Sequence, residues 1–284
     1  MINLLKSFFI KQVPLVLVDS DPMFRKILYK LSLEKTIGID TEFDWRNTYF
    51  PKLSLIQIST NEKIYLIDCL KLNSLREFRP IFENKNIKKV FHAVRSDVTV
   101  LFCTTNLKVT NCFDIQIADR YLSKSDAKSY AKIVFKYLRI KIDKSETNSN
   151  WLRRPFSKNQ INYAANDVRF LIKIYKKQKK ILEKRNLYSN VNNLVNKEVF
   201  LGSQKLYISR LKRLKLESKI EKKLFMWREN KAIEKNIPPS FIFKDKYFKK
   251  ILKTFEYNIS NENIFYILKN DSLANELINE FKEC

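Results

Sequence analysis

The sequence predicts an α/β domain built on a mixed sheet flanked by helices, followed by a small all-helical domain. Three observations carry that prediction. Short, β-branched apolar stretches cluster between residues 36 and 69, helical periods and one further short strand follow them, and beyond about residue 205 only helical periods remain. At 284 residues the chain is long enough for two domains, and 45% hydrophobic with 13% aromatic residues supplies a sizeable core, which excludes wholesale disorder.

Residues 36–43 (TIGIDTEF), 53–60 (LSLIQIST) and 63–69 (KIYLIDC) read as strands, with a hairpin turn at NEK between the last two. Residues 74–83 look helical after a cap at Asn73 or Ser74, KKVF at 88–91 is a brief strand, and a helix begins near Arg95. Asp114 onward (DIQIADRYL) and Ala127–Leu138 carry helical spacing, whereas residues 141–155 are polar and turn-rich and read as a loop. Ser157 then caps a long helix predicted to reach about Arg185. The domains are expected at 1–200 and 205–284, the second with helices over Tyr207–Glu229 and around 245–255, 261–268 and 272–282.

Charge is the strongest compositional signal. The chain has 55 basic and 30 acidic residues, a net +25, an excess that points to a polyanion, with nucleic acid the first candidate. The basic residues are 41 Lys and 14 Arg, a bias that an AT-rich coding sequence also produces, so charge alone does not decide the matter. No apolar stretch approaches the ~20 residues that cross a bilayer, and no signal-peptide cleavage pattern is present. Cys69, Cys103, Cys112 and Cys284 form no CxxC pair and read as reduced thiols in a cytoplasmic protein.

The chemistry is carried by acids in unusual places. Asp40 and Glu42 lie two apart on a predicted strand and so share a face, about 6–7 Å apart along the backbone. Two unpaired carboxylates there repel each other and resist burial, so either cations neutralise them or the strand ends there in a turn. Tyr163 and Asp167 are spaced to share one face of the long helix, as a core Tyr beside a surface Asp also would. Asp97 follows the KKVF strand, either as a functional group near a strand end or as an acid favoured by a helix N-terminus. The order of the three patterns decides between these readings: D-x-E on a strand, an Asp opening a helix, then Y-x-x-x-D on a later helix.

That order resembles the DEDD exonuclease superfamily in its tyrosine-bearing branch, and within it the ribonuclease D family. IDTEFDWRNTYFPKLSLIQI (39–58) is similar to the first motif and its hairpin, VFHAVRSDVTVL (90–101) to the second, and DKSETNSNWLRRPFSKNQINYAANDVRFL (143–171) to the third. FDIQIADRYL (113–122) resembles the segment between. FMWRENKAIEKNIPPSFIFKD (225–245) resembles, more loosely, the helicase-and-ribonuclease-D C-terminal (HRDC) module, a helical nucleic-acid-binding domain. Ribonuclease D often carries two such modules, and there is room here for one; Asp44 is an added carboxylate beside the first motif.

The resemblance implies a ribonuclease H-like mixed sheet and 3'-5' exoribonuclease activity that releases nucleoside 5'-monophosphates, with tRNA precursors and other structured RNA 3' ends as partners and no obligate protein partner. It also implies two divalent metal ions, Mg²⁺ or Mn²⁺, hard cations suited to an all-carboxylate set. Asp40, Glu42 and Asp167 would hold one ion, Asp40 would bridge to the second, and Asp97 would support that second ion directly or through water. Tyr163 would orient the attacking water. Substrate contacts fall to Phe43, Gln57, His92, Trp151 and Arg154: Trp151 stacks on a base, Arg154 meets a phosphate and Phe43 wedges against terminal bases, or each is a structural side chain. The KKQKK run (176–180) reads as a solvated helix face. A DNA-directed exonuclease and a catalytically silent RNA-binding scaffold are the alternative functions.

Overall fold

In the computed structural model, which describes residues 13–142, 146, 148–214, 216–257 and 259–282, six strands form one mixed sheet. They are β1 (Leu15–Val18), β2 (Thr36–Asp44), β3 (Lys52–Ser59), β4 (Ile64–Asp68), β5 (Lys88–Phe91) and β6 (Cys112–Asp114), in the order β1-β4-β3-β2-β5-β6. The β2–β3–β4 meander is antiparallel; β1 joins β4, and β5 and β6 extend from β2, in parallel. The expected turn joins β3 to β4, where the Thr60 hydroxyl accepts from the amides of Glu62 and Lys63. Strands β3 and β4 are buried on both faces from Leu53 through Asp68, apart from the turn. Helices cover them, as the continuous apolar runs require.

Sequence periodicity leaves residues 15–32 unassigned; the structure gives them β1 and helix α1 (Asp21–Ser32), which buries Phe24, Ile27 and Leu31. The signals were local ones, an acid and a proline in the first turn and an apolar i, i+3, i+7 stripe. Helices α2 (Arg79–Phe82), α3 (Val94–Thr105), α4 (Ile115–Ser123) and α5 (Tyr130–Leu138) follow the predicted pattern. One difference is that Asp114 ends a strand and caps α4, accepting from the amides of Gln116 and Ile117.

The predicted long helix is two helices, α6 (Lys158–Arg169) and α7 (Leu171–Lys184). The Tyr130 hydroxyl separates them: it donates to the Asn166 carbonyl at 3.0 Å and accepts from the Phe170 amide at 3.3 Å, replacing one rung of the helical ladder. Helix α7 then crosses β2 so closely that a Cβ on Gly38 would lie 2.5 Å from Ser59 Oγ and 2.9 Å from Leu171 Cβ. Helix α8 (Tyr188–Gly202) completes this unit, which comprises the described chain through Asp44 together with Lys52–Gln204.

The second unit contains α9 (Leu206–Leu214), α10 (Lys219–Glu234), α11 (Pro239–Ile242), α12 (Phe248–Glu256), α13 (Glu262–Leu268) and α14 (Asp271–Lys282), together with the Trp45–Pro51 segment. The expected Tyr207–Glu229 helix is interrupted, because Ser218 and Glu221 form a reciprocal capping box that starts α10 afresh. Inside this unit Glu229 is fully buried; it accepts from Arg210 Nε at 3.0 Å and Nη2 at 2.5 Å, and from the Tyr49 hydroxyl at 2.7 Å. Arg228, also buried, reaches Asp245 at 2.7 Å with its guanidinium against the rings of Phe243 and Phe248.

Candidate active site

Strand alternation puts Asp40 and Glu42 on the sheet face that α6 covers, and the helical period of α6 puts Tyr163 and Asp167 one turn apart on the same side. The Ser157–Gln160 capping box fixes where α6 begins. At its other end the Ser59 hydroxyl donates to the Val168 carbonyl at 2.8 Å, tying the turn that carries Asp167 to β3. One carboxylate oxygen each from Asp40, Glu42 and Asp167 lies within 4.8 Å of the others, all three residues half-buried. A β-bulge follows at once, between Glu42 and Phe43, and shifts the register from Leu55 to Leu53, as bulges near functional groups commonly do.

Asp97, on the first turn of α3, is 3% exposed and accepts from the Thr41 hydroxyl at 2.6 Å. Thr41 thus links the residue between the two β2 acids to the fourth carboxylate. Asp114 braces the same turn from β6, accepting the Val94 amide at 2.8 Å.

The electrostatics follow from packing acids together. Burial and then repulsion from Asp97, Asp167 and Glu42 push Asp40 well above the usual carboxylate range. Burial, then Asp167 and Asp97, raise Glu42 to about 9. Burial raises Asp97 to about 7, and the Thr41 hydrogen bond works against that rise. Hard divalent cations, with their preference for carboxylate oxygen, are the counter-charge that this donor set fits.

The remaining candidates occupy varied places. His92 lines the cleft with Asp40, Tyr163 and Asp167; its Nε2 lies 3.0 Å from the Lys128 carbonyl and 3.2 Å from Gln116 Nε2. Phe43 is half-buried against the core just beyond the bulge. Gln57 pairs in register with Asp40 but is fully buried, and neither amide atom has a hydrogen-bond partner among the described residues. Trp151 is 4% exposed and packs on Tyr163, with ring centroids 5.9 Å apart. Arg154 engages Asp68 through two bonds of 2.6 and 2.7 Å, donates to Ser54 Oγ at 3.0 Å and lies over Phe156. Trp151 thus packs on Tyr163, and Arg154 Nη1 donates to the Trp151 carbonyl at 2.6 Å. Sequence spacing passes over Thr41, Ser59, Asp114 and Tyr130, whose parts depend on partners 20 to 109 residues away.

Comparison with known proteins places this geometry. A family model described as 3'-5' exonuclease matches residues 15–183, more than half of the chain, and spans the whole carboxylate cluster. The chain belongs to the 3'-5' exonuclease family. Residues 217–261 of the chain match the HRDC domain. Its curated relatives are ribonucleases D. That of Desulfotalea psychrophila is 30% identical over 243 residues, covering 81% of this chain and 64% of the relative. That of Haemophilus influenzae is 32% identical over 241 residues, covering 80% and 59%. The chain thus spans less than two thirds of either relative. Among solved structures, Escherichia coli RNase D superposes with a TM-score of 0.81 at 21% identity, over 93% of this chain and 74% of that one. Trypanosoma brucei RNase D in complex with RNA U12 gives 0.62 at 19%, over 70% and 74%. Both share the fold. Among the described residues no helix is long and apolar enough to cross a membrane.

Proposed function

We propose that the chain is a divalent-metal-dependent 3'-5' exoribonuclease that releases nucleoside 5'-monophosphates in the cytoplasm, acting on tRNA precursors and other structured RNA 3' ends. The observation that carries this reading is the convergence of Asp40, Glu42 and Asp167 within 4.8 Å, with Tyr163 one turn before Asp167. The curated relatives named ribonuclease D support it, as do the E. coli structure, described as an exoribonuclease involved in structured RNA processing, and the T. brucei complex with RNA. The net charge of +25 favours a polyanionic substrate, and the HRDC match over residues 217–261 supports a nucleic-acid-binding role for that stretch.

Asp40, Glu42 and Asp167 would hold one ion, and Asp40 with Asp97 a second, Mg²⁺ or Mn²⁺ in both places. Such ions, when bound, supply Lewis acidity at the attacking water and the leaving 3'-oxygen. The Tyr163 hydroxyl orients the water; phenols in general, with a reference pKa near 10, are poor bases at neutral pH, so its role is one of positioning. Trp151 holds the Tyr163 ring from behind, and Thr41 fixes the Asp97 rotamer.

The test is to incubate the purified chain with 3'-extended tRNA, single-stranded RNA and single-stranded DNA, each with Mg²⁺, Mn²⁺ or chelator, and to sequence the product ends. Stepwise shortening of RNA from the 3' end with release of 5'-monophosphates is the expected result. Preferential shortening of DNA, or binding of RNA without any shortening, would overturn it.

A further inference from the structure

Helix α5 borders the cleft and carries a second groove beside it. The groove shares Ser129, Ala131 and Ile142 with the cleft that holds Asp40, Tyr163 and Asp167, so the two are continuous. Its apolar lining includes the Phe135 ring, which is 43% exposed. Five cations also line it: Lys128, Lys132, Lys136, Arg139 and Lys141. Buried Asp119 pairs with Lys128 at 3.4 Å and Lys136 at 2.5 Å, and it is the one acid these five meet among the described residues. The Arg139 guanidinium lies over the Phe135 ring at 5.8 Å.

We propose that this groove is a track for single-stranded RNA, and that it holds the nucleotides on the 5' side of the scissile phosphate. The inference rests on the exoribonuclease reading above. An exposed aromatic ring set among cations is the pairing that binds single strands, the ring stacking on a base and the cations following the backbone. The occupant is the polymer rather than the released product, because a mononucleotide carries one phosphate and does not call for cations spread along a whole helix. Lys132 and Lys136 are one turn apart, ~6 Å along the axis, and the nine residues of α5 span ~13 Å, room for a few nucleotides rather than one. Continuity with the cleft fixes the order: the 3' nucleotide sits at the carboxylates and the strand leads away past Ser129 along α5.

The experiment uses the full chain and has two readouts that do not depend on cleavage. RNA 12-mers carrying a single 4-thiouridine at successive positions upstream of the 3' end are crosslinked to wild-type protein in Ca²⁺, and the adducts are mapped. Adducts within residues 128–142 for the second to fourth nucleotides from the 3' end are the expected result; adducts confined to other segments would overturn the proposal. In parallel, affinities for a 12-mer and a 3-mer are compared in wild type, Phe135→Ala and the double variant Lys132→Gln/Arg139→Gln. The 12-mer to 3-mer affinity ratio should fall at least tenfold in the double variant, with the salt slope of 12-mer binding lower by about 1–1.5. Phe135→Ala should lower the ratio without changing the slope. Unchanged ratios and slopes would overturn the track. Crosslinks on α5 without shortening of any RNA would instead leave the track standing and remove the exonuclease reading.

Discussion

The Tyr130 hydroxyl accepts the Phe170 amide at the point where α6 gives way to α7. The same oxygen donates to the Asn166 carbonyl, so one side chain bonds both groups of the Phe170 N–H to Asn166 C=O rung that an unbroken helix would form. Asp167 lies between those two residues, which makes Tyr130 a determinant of where that carboxylate sits. Tyr130→Phe keeps the ring and removes both bonds. It should cost ~1–3 kcal/mol of stability, the range for leaving buried polar groups unpaired. It should also lower divalent-ion affinity. Denaturant melts with and without Mn²⁺ check both effects; a variant as stable and as responsive to Mn²⁺ as wild type would show that the break is held by other contacts.

A second prediction concerns pH in the metal-free protein. Asp40, Glu42 and Asp97 all have raised folded-state pKa values, Asp97 to about 7 and Glu42 to about 9. The folded form therefore binds protons more tightly than the unfolded chain, whose carboxyls titrate near 4. Their contribution to stability is fully present below that pH and is lost as pH rises through about 7 and on to about 9. Metal-free protein should become less stable across this window, and the stabilisation on adding Mg²⁺ or Mn²⁺ should grow over the same range as the ligands deprotonate. Thermal melts at pH 5, 7 and 9 with and without metal provide the check, and a metal effect independent of pH would contradict it.

Arg154 gives a prediction about structure rather than substrate. Its guanidinium makes two bonds to Asp68, whose side chain is 4% exposed, and removing one partner of such a pair leaves a buried charge. Arg154→Ala should cost ~3–5 kcal/mol. Arg154→Lys should recover only part of this, because an ammonium cannot reproduce the fork. RNA affinity, measured where the variants are folded, should change less than twofold; a large loss of affinity with stability intact would return Arg154 to the substrate.

Tyr163→Phe tests the positioning role. The ring and its packing on Trp151 remain, and only the hydroxyl is lost. Single-turnover cleavage should slow by ~10²–10⁴-fold, or ~3–5 kcal/mol of barrier, while RNA binding in Ca²⁺ stays near wild type. Near-wild-type cleavage would assign the water to another group.

Much of the site was legible because period and order are local properties. Two acids at i, i+2 on a strand must share a face, and Tyr163 and Asp167 must share a helix side. The three patterns then occur in one order. What could not be read depends on tertiary partners. Nothing in residues 157–185 marks Phe170 as a break, since its cause is a hydroxyl 40 residues away. Thr41 looks like filler between two acids until α3 brings Asp97 within 2.6 Å. Arg154 and Trp151, in a polar loop before a motif, look available to RNA from the sequence, where their partners Asp68 on β4 and Tyr163 on α6 do not show. The α5 groove escaped for the same reason, because its cations are spread from Lys128 to Lys141 and form no charge run.

The most direct test of the carboxylate site is the single-turnover rate on a 5'-labelled RNA for wild type and Asp40→Asn, each in Mn²⁺ and in excess chelator. Asp40 belongs to the three-oxygen cluster and would also bridge to the second ion. The account predicts stepwise 3' shortening by wild type in Mn²⁺, none in chelator, and a loss of several orders of magnitude in Asp40→Asn with its fold intact. Robust shortening in chelator, or by Asp40→Asn at the wild-type rate, would contradict it.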